Sequence, residues 1–240
     1  MDIKIVSALN RLPGWLSIHE GQFLHKAALI LKNKKGAVVE IGSFQGKSTI
    51  YLAKTNQRIY AIDPHRGKLD NGTKITPTLT AFKKNITDFY VKSNVVLIQK
   101  TSFSAAKSWK KKIKLLFIDG LHDEKNAESD YDKWSPFLID GGIVAMHDSF
   151  CGWKGAQKVA LQKIISNNDY YEIGVVGSIV YGIKGTGNIF TRLNQFRIRI
   201  FIQTAYWIKK QKYIPSQLSF ILIHRFIKLL LLNHFTLKRK

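Results

Sequence analysis

Residues 37–49 read AVVEIGSFQGKST, and this stretch decides the fold. Ala37 to Ile41 is apolar and largely β-branched apart from Glu40, the pattern of a short buried strand. Gly42, Ser43, Phe44, Gln45 and Gly46 follow as a tight turn, and Lys47 to Lys54 opens a helix. Strand, glycine turn and helix in that order put the turn at the carboxyl end of a strand, where open α/β sheets bind ligands. The two glycines permit backbone conformations and a close approach that a side chain would obstruct. Three residues separate them, which is neither the G-x-G-x-x-G of a dinucleotide fold nor the G-x-x-x-x-G-K-[ST] of a phosphate loop. A diphosphate cradle is therefore disfavoured, whereas the positive end of the helix suits a small carboxylate.

Working outward, WLSIHEGQFLHKAALILKN at 15–33 spaces Leu16, Phe23, Leu24, Ala27, Ala28 and Leu31 as an amphipathic helix does, and Gly36 can end it. Further strands are expected at Arg58 to Asp63, Asn94 to Gln99, Lys114 to Asp119 and Gly142 to His147, with helical patterns between most of them. Such alternation predicts a parallel sheet covered by helices on both faces. After a helix around Gly155 to Ile165, YYEIGVVGSIVYGIKG breaks into two β-branched runs at Gly177 and Ser178, a hairpin signal. The expected fold class is α/β and Rossmann-like, five parallel strands closed by a C-terminal antiparallel hairpin. Three parts are expected: a helical segment at 1–36, the α/β domain at 37–185, and a basic apolar tail at 186–240 that reads as helical.

A chain of 240 residues holds one core and an appendage. With 45% hydrophobic and 22% charged residues it is globular in composition. The single cysteine, Cys151, excludes an intramolecular disulfide and a cysteine zinc cluster and fits a reducing compartment. The first 21 residues lack the apolar core and cleavage site of a signal peptide, so a cytoplasmic location is expected. The formal charge of +22 is unevenly spread: Ile173 to Lys240 holds 12 Lys or Arg and no Asp or Glu, leaving +10 for residues 1–172. A surface of that kind attracts polyanions, nucleic acid and anionic lipid alike.

Asp63 closes the second strand, 21 residues after Gly42, where an acid can accept hydrogen bonds from both ribose hydroxyls of a nucleoside. Together the pieces VVEIGSFQGKST, IYAIDPH, LLFIDGLHDEKNAESDYDKW and PFLIDGGIVAMHDS, in that order, resemble the class I S-adenosylmethionine-dependent methyltransferases. Within them the likeness is to the branch of sugar and small-molecule O-methyltransferases and cephalosporin hydroxylase-like proteins. It covers about residues 15 to 185. The resemblance implies S-adenosylmethionine across the strand ends, with Glu40, Gly42, Ser43, Gly46 and Ser48 around its methionine part. Asp63 then lies near the ribose, Ser102 at the adenine side and Asp119 at the same edge; His65, close to Asp63, could border the adenosine.

The fourth and fifth strands end in Asp119, His122, His147 and Asp148. In the metal-dependent macrolide sugar O-methyltransferases that this branch resembles, acids after these two strands hold magnesium and a histidine acts as base. The resemblance thus assigns Asp119, His147 and Asp148 to a divalent cation and His122 to catalysis. His147 stands where an acid is expected, which weakens Mg²⁺ binding or favours a metal that accepts imidazole. The bland alternative is that Asp119 caps a helix while His147 and Asp148 bond loop backbone. Asp130 and Trp134 read as support and packing, and His19 and His25 as surface or packing residues.

In the tail, Phe220, Leu222, Ile223, Phe226, Ile227 and Leu229 to Leu232 surround a narrow strip of His224, Arg225 and Lys228. Charges within the run argue against a spanning helix and for one lying on an anionic membrane surface. The expected activity is O-methylation of a hydroxyl on a sugar, glycan or lipid-linked saccharide, at the inner face of the membrane. The alternative from another class is a non-catalytic membrane-associated protein that retains the cofactor fold. Nucleic acid is disfavoured for want of an RNA-binding module, and homo-oligomerisation stays open.

Overall fold

The computed structural model describes residues 1–66, 77–150 and 153–210, and the side chains of all of these except 202 and 205–210. Cys151 and the apolar run at 220–232 lie outside the described residues. Two helices come first, α1 (Ile3–Asn10) and α2 (Ile18–Ile30). Ser17 and Glu20 start α2 with a reciprocal capping box, each bonding the other's backbone N–H. Strands β1 (Ala37–Ile41), β2 (Ile59–Ile62), β3 (Val95–Ile98), β4 (Ile113–Ile118) and β5 (Leu138–Met146) then alternate with α3 (Lys47–Ala53), α4 (Leu79–Asp88), α5 (Ser102–Ala106) and α6 (Glu124–Trp134). Helix α7 (Lys154–Ala160) continues into a π-helical turn (Leu161–Ile165) before β6 (Tyr170–Val176), β7 (Ile179–Lys184) and α8 (Ile189–Lys210).

The seven strands form one sheet in the order β3-β2-β1-β4-β5-β7-β6. The first five are parallel, and β7 runs antiparallel to both β5 and β6. The expected hairpin is present, but its second strand, not its first, adds to the parallel set. Side chains alternate between two cores, as a period of two requires. Val39, Ile41, Leu116 and Ile118 face the layer that holds Trp134, Val159 and Phe201. Val38, Leu115 and Phe117 face the layer of Leu24, Ile50 and Phe82. Both faces are buried, so β1 and β4 read as near-continuous apolar runs rather than alternating ones.

Register positions the site. Ile41 pairs with Ile62 and Ile118, Ile62 with Ile98, and Ile118 with Met146. The following residues, Gly42, Asp63, Asp119 and His147, therefore leave the sheet along one line. Their backbones stay tied to it, with Gly42 N–H bonded to the Ile62 carbonyl at 2.9 Å, Asp119 N–H to Ile41 at 2.8 Å and His147 N–H to Ile118 at 2.9 Å. Strand order reverses at β1 and β4, and a ligand crevice opens at such a switch point.

Candidate functional site

The glycine turn sits over the switch point. Gly42 has φ +85°, and a Cβ there would lie 1.9 Å from the Asp119 carbonyl oxygen. Sequence reasoning expected a glycine to make room for a ligand; the first requirement is instead the neighbouring strand end. Gly46, at φ +89°, caps α3, and a Cβ on it would come 3.1 Å from the Phe82 ring. Ser43 is buried and its hydroxyl has no protein partner, an atom available to a ligand in the turn.

Glu40 lies below the turn, fully buried, with Oε2 accepting from Thr49 Oγ1 at 2.5 Å and Oε1 without a partner. Burial pushes its carboxyl up to about 8 against the hydrogen bonds from Ser48 and Thr49, with the nearby charges of Asp119 and Asp63 adding to the rise. The rise favours its neutral form, which repels a carboxylate in the turn less than an ionised Glu40 would. Ser48 is buried beside it.

Asp63 is half-buried. Its Oδ2 accepts from Phe44 N–H at 2.8 Å and its Oδ1 from His65 N–H at 2.6 Å, so it clamps the loops after β1 and β2 together. Any ribose hydroxyl must share these two oxygens. His65 is buried, bonded through Nδ1 to Thr78 Oγ1 at 2.7 Å and packed on Phe82. Ser102 accepts from the Trp134 indole at 2.8 Å and bonds the Asp130 carboxyl. Burial raises Asp130 to about 6 despite that bond. Asp130 and Trp134 thus support the loop after β3, the packing role expected of them. His25 bonds the Tyr51 carbonyl and His19 is exposed.

At the other half of the edge, four side chains converge. His122 Nε2 is 3.4 Å from Asp119 Oδ1 and 3.6 Å from Asp148 Oδ2. His147 Nδ1 is 3.0 Å from Asp119 Oδ1 and 3.6 Å from Asp148 Oδ2. Burial favours a neutral His147 but is outweighed by Asp119, Asp148 and Glu20, which push it up to about 12. Asp119 goes the opposite way: burial would raise it, yet the charge of His147 and bonds from both imidazoles hold it well below the usual carboxylate range.

Sequence reasoning missed two members of this cluster. Glu20, from the N-terminal segment, lies 3.5 Å from His147 Nε2 through Oε2. Its Oε1 accepts from Ser178 N–H at 2.6 Å and Ser178 Oγ at 2.8 Å, joining α2 to the β6–β7 turn. The Ser17-x-x-Glu20 spacing signals a capping box, but nothing local tells that the same carboxylate reaches 158 residues onward. Trp153 is the second: it stacks on His122, ring centroids 5.8 Å apart and planes at 17°. Three non-glycine residues with positive φ, Phe44 (45°), His65 (51°) and Asp148 (51°), stand just past β1, β2 and β5. Strain of that kind collects where geometry serves a ligand.

Burial opposes ionisation of Glu20, but bonds from His147, Ser17 and Ser178 hold it down at about 2 against an ordinary 4.5. A folded-state value below the unfolded one means the carboxylate stabilises the fold fully above pH 4.5, and that contribution is lost as pH falls toward 2. Urea unfolding from pH 6 to 3 should therefore show a shallower acid loss for Glu20→Gln than for wild type. Parallel curves would remove the assignment.

Asp119, His122 and His147 bring one ligating atom each within 4.8 Å of one another. Magnesium takes oxygen ligands, and two of these three donors are nitrogens. The residues do not fit magnesium.

Comparison with known proteins agrees with this layout. Residues 39–149 match the family described as a methyltransferase domain. Among solved structures, the O-methyltransferase NovP superposes with a TM-score of 0.61 at 12% identity, over 70% of this chain and 81% of that one. The Bacillus cereus O-methyltransferase in complex with SAH gives 0.54 at 16% identity, over 76% and 88%. TomG from Streptomyces achromogenes in complex with SAM gives 0.54 at 14% identity, over 77% and 92%. At such identities these likenesses bear on the fold. The glycine turn, Asp63, and the Asp119 to Asp148 cluster all fall inside the matched span; over residues 39–149 the chain is similar to the methyltransferase-domain family, and it shares the Rossmann-like fold of these O-methyltransferases.

Proposed function

We propose that the chain transfers the methyl group of S-adenosylmethionine to a hydroxyl oxygen of a small molecule, with a saccharide as the preferred acceptor. The observation that carries this reading is the division of one sheet edge into two halves, a glycine turn with Asp63 and a histidine set between two carboxylates. The first half suits the nucleoside-amino acid: the buried Ser43 hydroxyl lacks a partner, and the upward shift of Glu40 lessens the negative charge beneath the turn. S-adenosylmethionine, when bound, supplies an electrophilic methyl on a sulfonium.

The second half handles the proton. His122 takes it from the acceptor hydroxyl as the oxygen attacks, general-base chemistry for which an imidazole is suited. Asp119 and Asp148, 3.4 and 3.6 Å from its Nε2, favour the imidazolium that results. His147 neutralises the same two carboxylates from beneath and fixes their positions. Trp153, about half exposed and flat against His122, offers an apolar wall for a ring-shaped acceptor. No step requires a cation.

Isothermal titration with S-adenosylhomocysteine tests the first half, and a chain that binds neither it nor S-adenosylmethionine would leave only the non-catalytic alternative. Asp63→Ala should weaken that binding roughly tenfold to a hundredfold, since charge-assisted hydrogen bonds contribute about 1.5–3 kcal/mol. It should also lower the unfolding midpoint, because Phe44 and His65 N–H lose their acceptor. Undiminished affinity would place the ribose elsewhere.

A further inference from the structure

Helix α8 carries two apolar faces, and among the described residues only one is packed against the protein. On the inner side Phe201 stacks on Phe150 with centroids 5.1 Å apart, Ile198 is buried, and Gln195 donates to the carbonyls of Asn167 and Tyr170. On the outer side Ile189, Leu193, Phe196 and Ile200 recur at i, i+4, i+7 and i+11, a single stripe on a 3.6-residue helix. They are 63%, 54%, 62% and 38% exposed, and Phe190 beside them is 75% exposed. Arg192 and Arg199 border one side of the stripe and Arg197 the other.

We propose that this outer stripe of α8 docks on an anionic lipid bilayer, with the helix lying in the plane of the surface. Charge selects the occupant. A second copy would bring two arginine-bordered stripes of a +22 chain together. Residues 211–240 of the same chain add six Lys or Arg and no acid, so they meet the same repulsion. Anionic headgroups instead compensate the guanidinium groups of Arg192 and Arg199 while their side-chain stems and the apolar stripe enter the acyl boundary. Among the described residues no helix is long and apolar enough to cross a membrane, which fits contact rather than insertion across it. Because Phe201 packs on Phe150, two residues past Asp148, the docked helix also fixes the β5 loop near the surface. This inference stands apart from the methyl-transfer reading, and its test needs no turnover.

The test is flotation of the full chain with vesicles of phosphatidylcholine alone and of phosphatidylcholine with about 30% phosphatidylglycerol. Wild type should partition roughly tenfold more strongly onto the anionic vesicles. Leu193→Glu with Phe196→Glu should lower that partition at least about tenfold with an unchanged unfolding midpoint. Arg192→Gln with Arg199→Gln should weaken it on anionic vesicles only. Absence of wild-type binding, or either double variant binding as wild type does, overturns the proposal. So does a wild-type dimer in light scattering that Leu193→Glu with Phe196→Glu dissolves, which would make a second copy the occupant. A drop in that variant's unfolding midpoint would show that the chain covers the stripe itself, with the same consequence.

Discussion

Gly42→Ala is expected to leave little folded protein. The added Cβ would stand 1.9 Å from the Asp119 carbonyl oxygen, and the residue is held at φ +85°. A side chain in that conformation costs about 1–3 kcal/mol before any contact is counted. The obstruction is backbone of the adjacent strand, which cannot rotate away as a side chain can. Relief requires parting β1 from β4 at the point where the site is assembled. The total is on the order of 4–5 kcal/mol, a large share of the ~5–15 kcal/mol that stabilises a typical domain. Gly46→Ala is the internal control: its left-handed φ carries a similar backbone cost, but its Cβ meets the Phe82 ring at 3.1 Å, so about 1–2 kcal/mol is expected. Urea unfolding of both variants reads the difference. A Gly42→Ala midpoint equal to that of Gly46→Ala would mean the strand ends are looser than described.

The second large effect falls on turnover. His122→Ala should lower kcat by about 10²–10⁴, the usual contribution of a positioned general base, while affinity for S-adenosylhomocysteine stays within about threefold of wild type. The ring lies among Asp119, Asp148 and Trp153, on the acceptor half of the edge and not against the glycine turn. Removing it also deprives Trp153 of its stacking partner, so a modest fall in the unfolding midpoint accompanies the loss. Dialysis against a chelator should leave the wild-type rate unchanged, because two of the three clustered donors are nitrogens and do not suit magnesium. A rate that disappears on chelation and returns with Mg²⁺ would reverse that conclusion.

Much of the layout was legible because it is written in local patterns. Ala37–Ile41, Ile59–Ile62, Val95–Ile98 and Ile113–Ile118 fall within a residue or two of the expected strands, since apolar runs bounded by turn residues have few other uses in a chain this size. β5 departs most: it begins at Leu138, ahead of the expected Gly142, and the strand continues through Gly141 and Gly142. The amphipathic helix expected at 15–33 is cut to Ile18–Ile30 by the capping box at its start.

What the sequence determined by itself is the set of elements and the residues at their ends: the glycine turn, Asp63, Asp119, His122, His147 and Asp148, each named by its neighbours along the chain. What only the tertiary structure decided is how those ends meet. Register puts Gly42 against the Asp119 carbonyl, which gives the glycine a reason the turn alone does not contain. The insertion of β7 between β5 and β6 carries Ser178 to Glu20, and so makes a helix cap in the N-terminal segment a third carboxylate around His147. With three acids about it His147 is held toward its charged form. That change follows from distances of 3–4 Å between residues far apart in the chain, and electrostatics at such range depends on folded geometry, which composition and spacing do not specify.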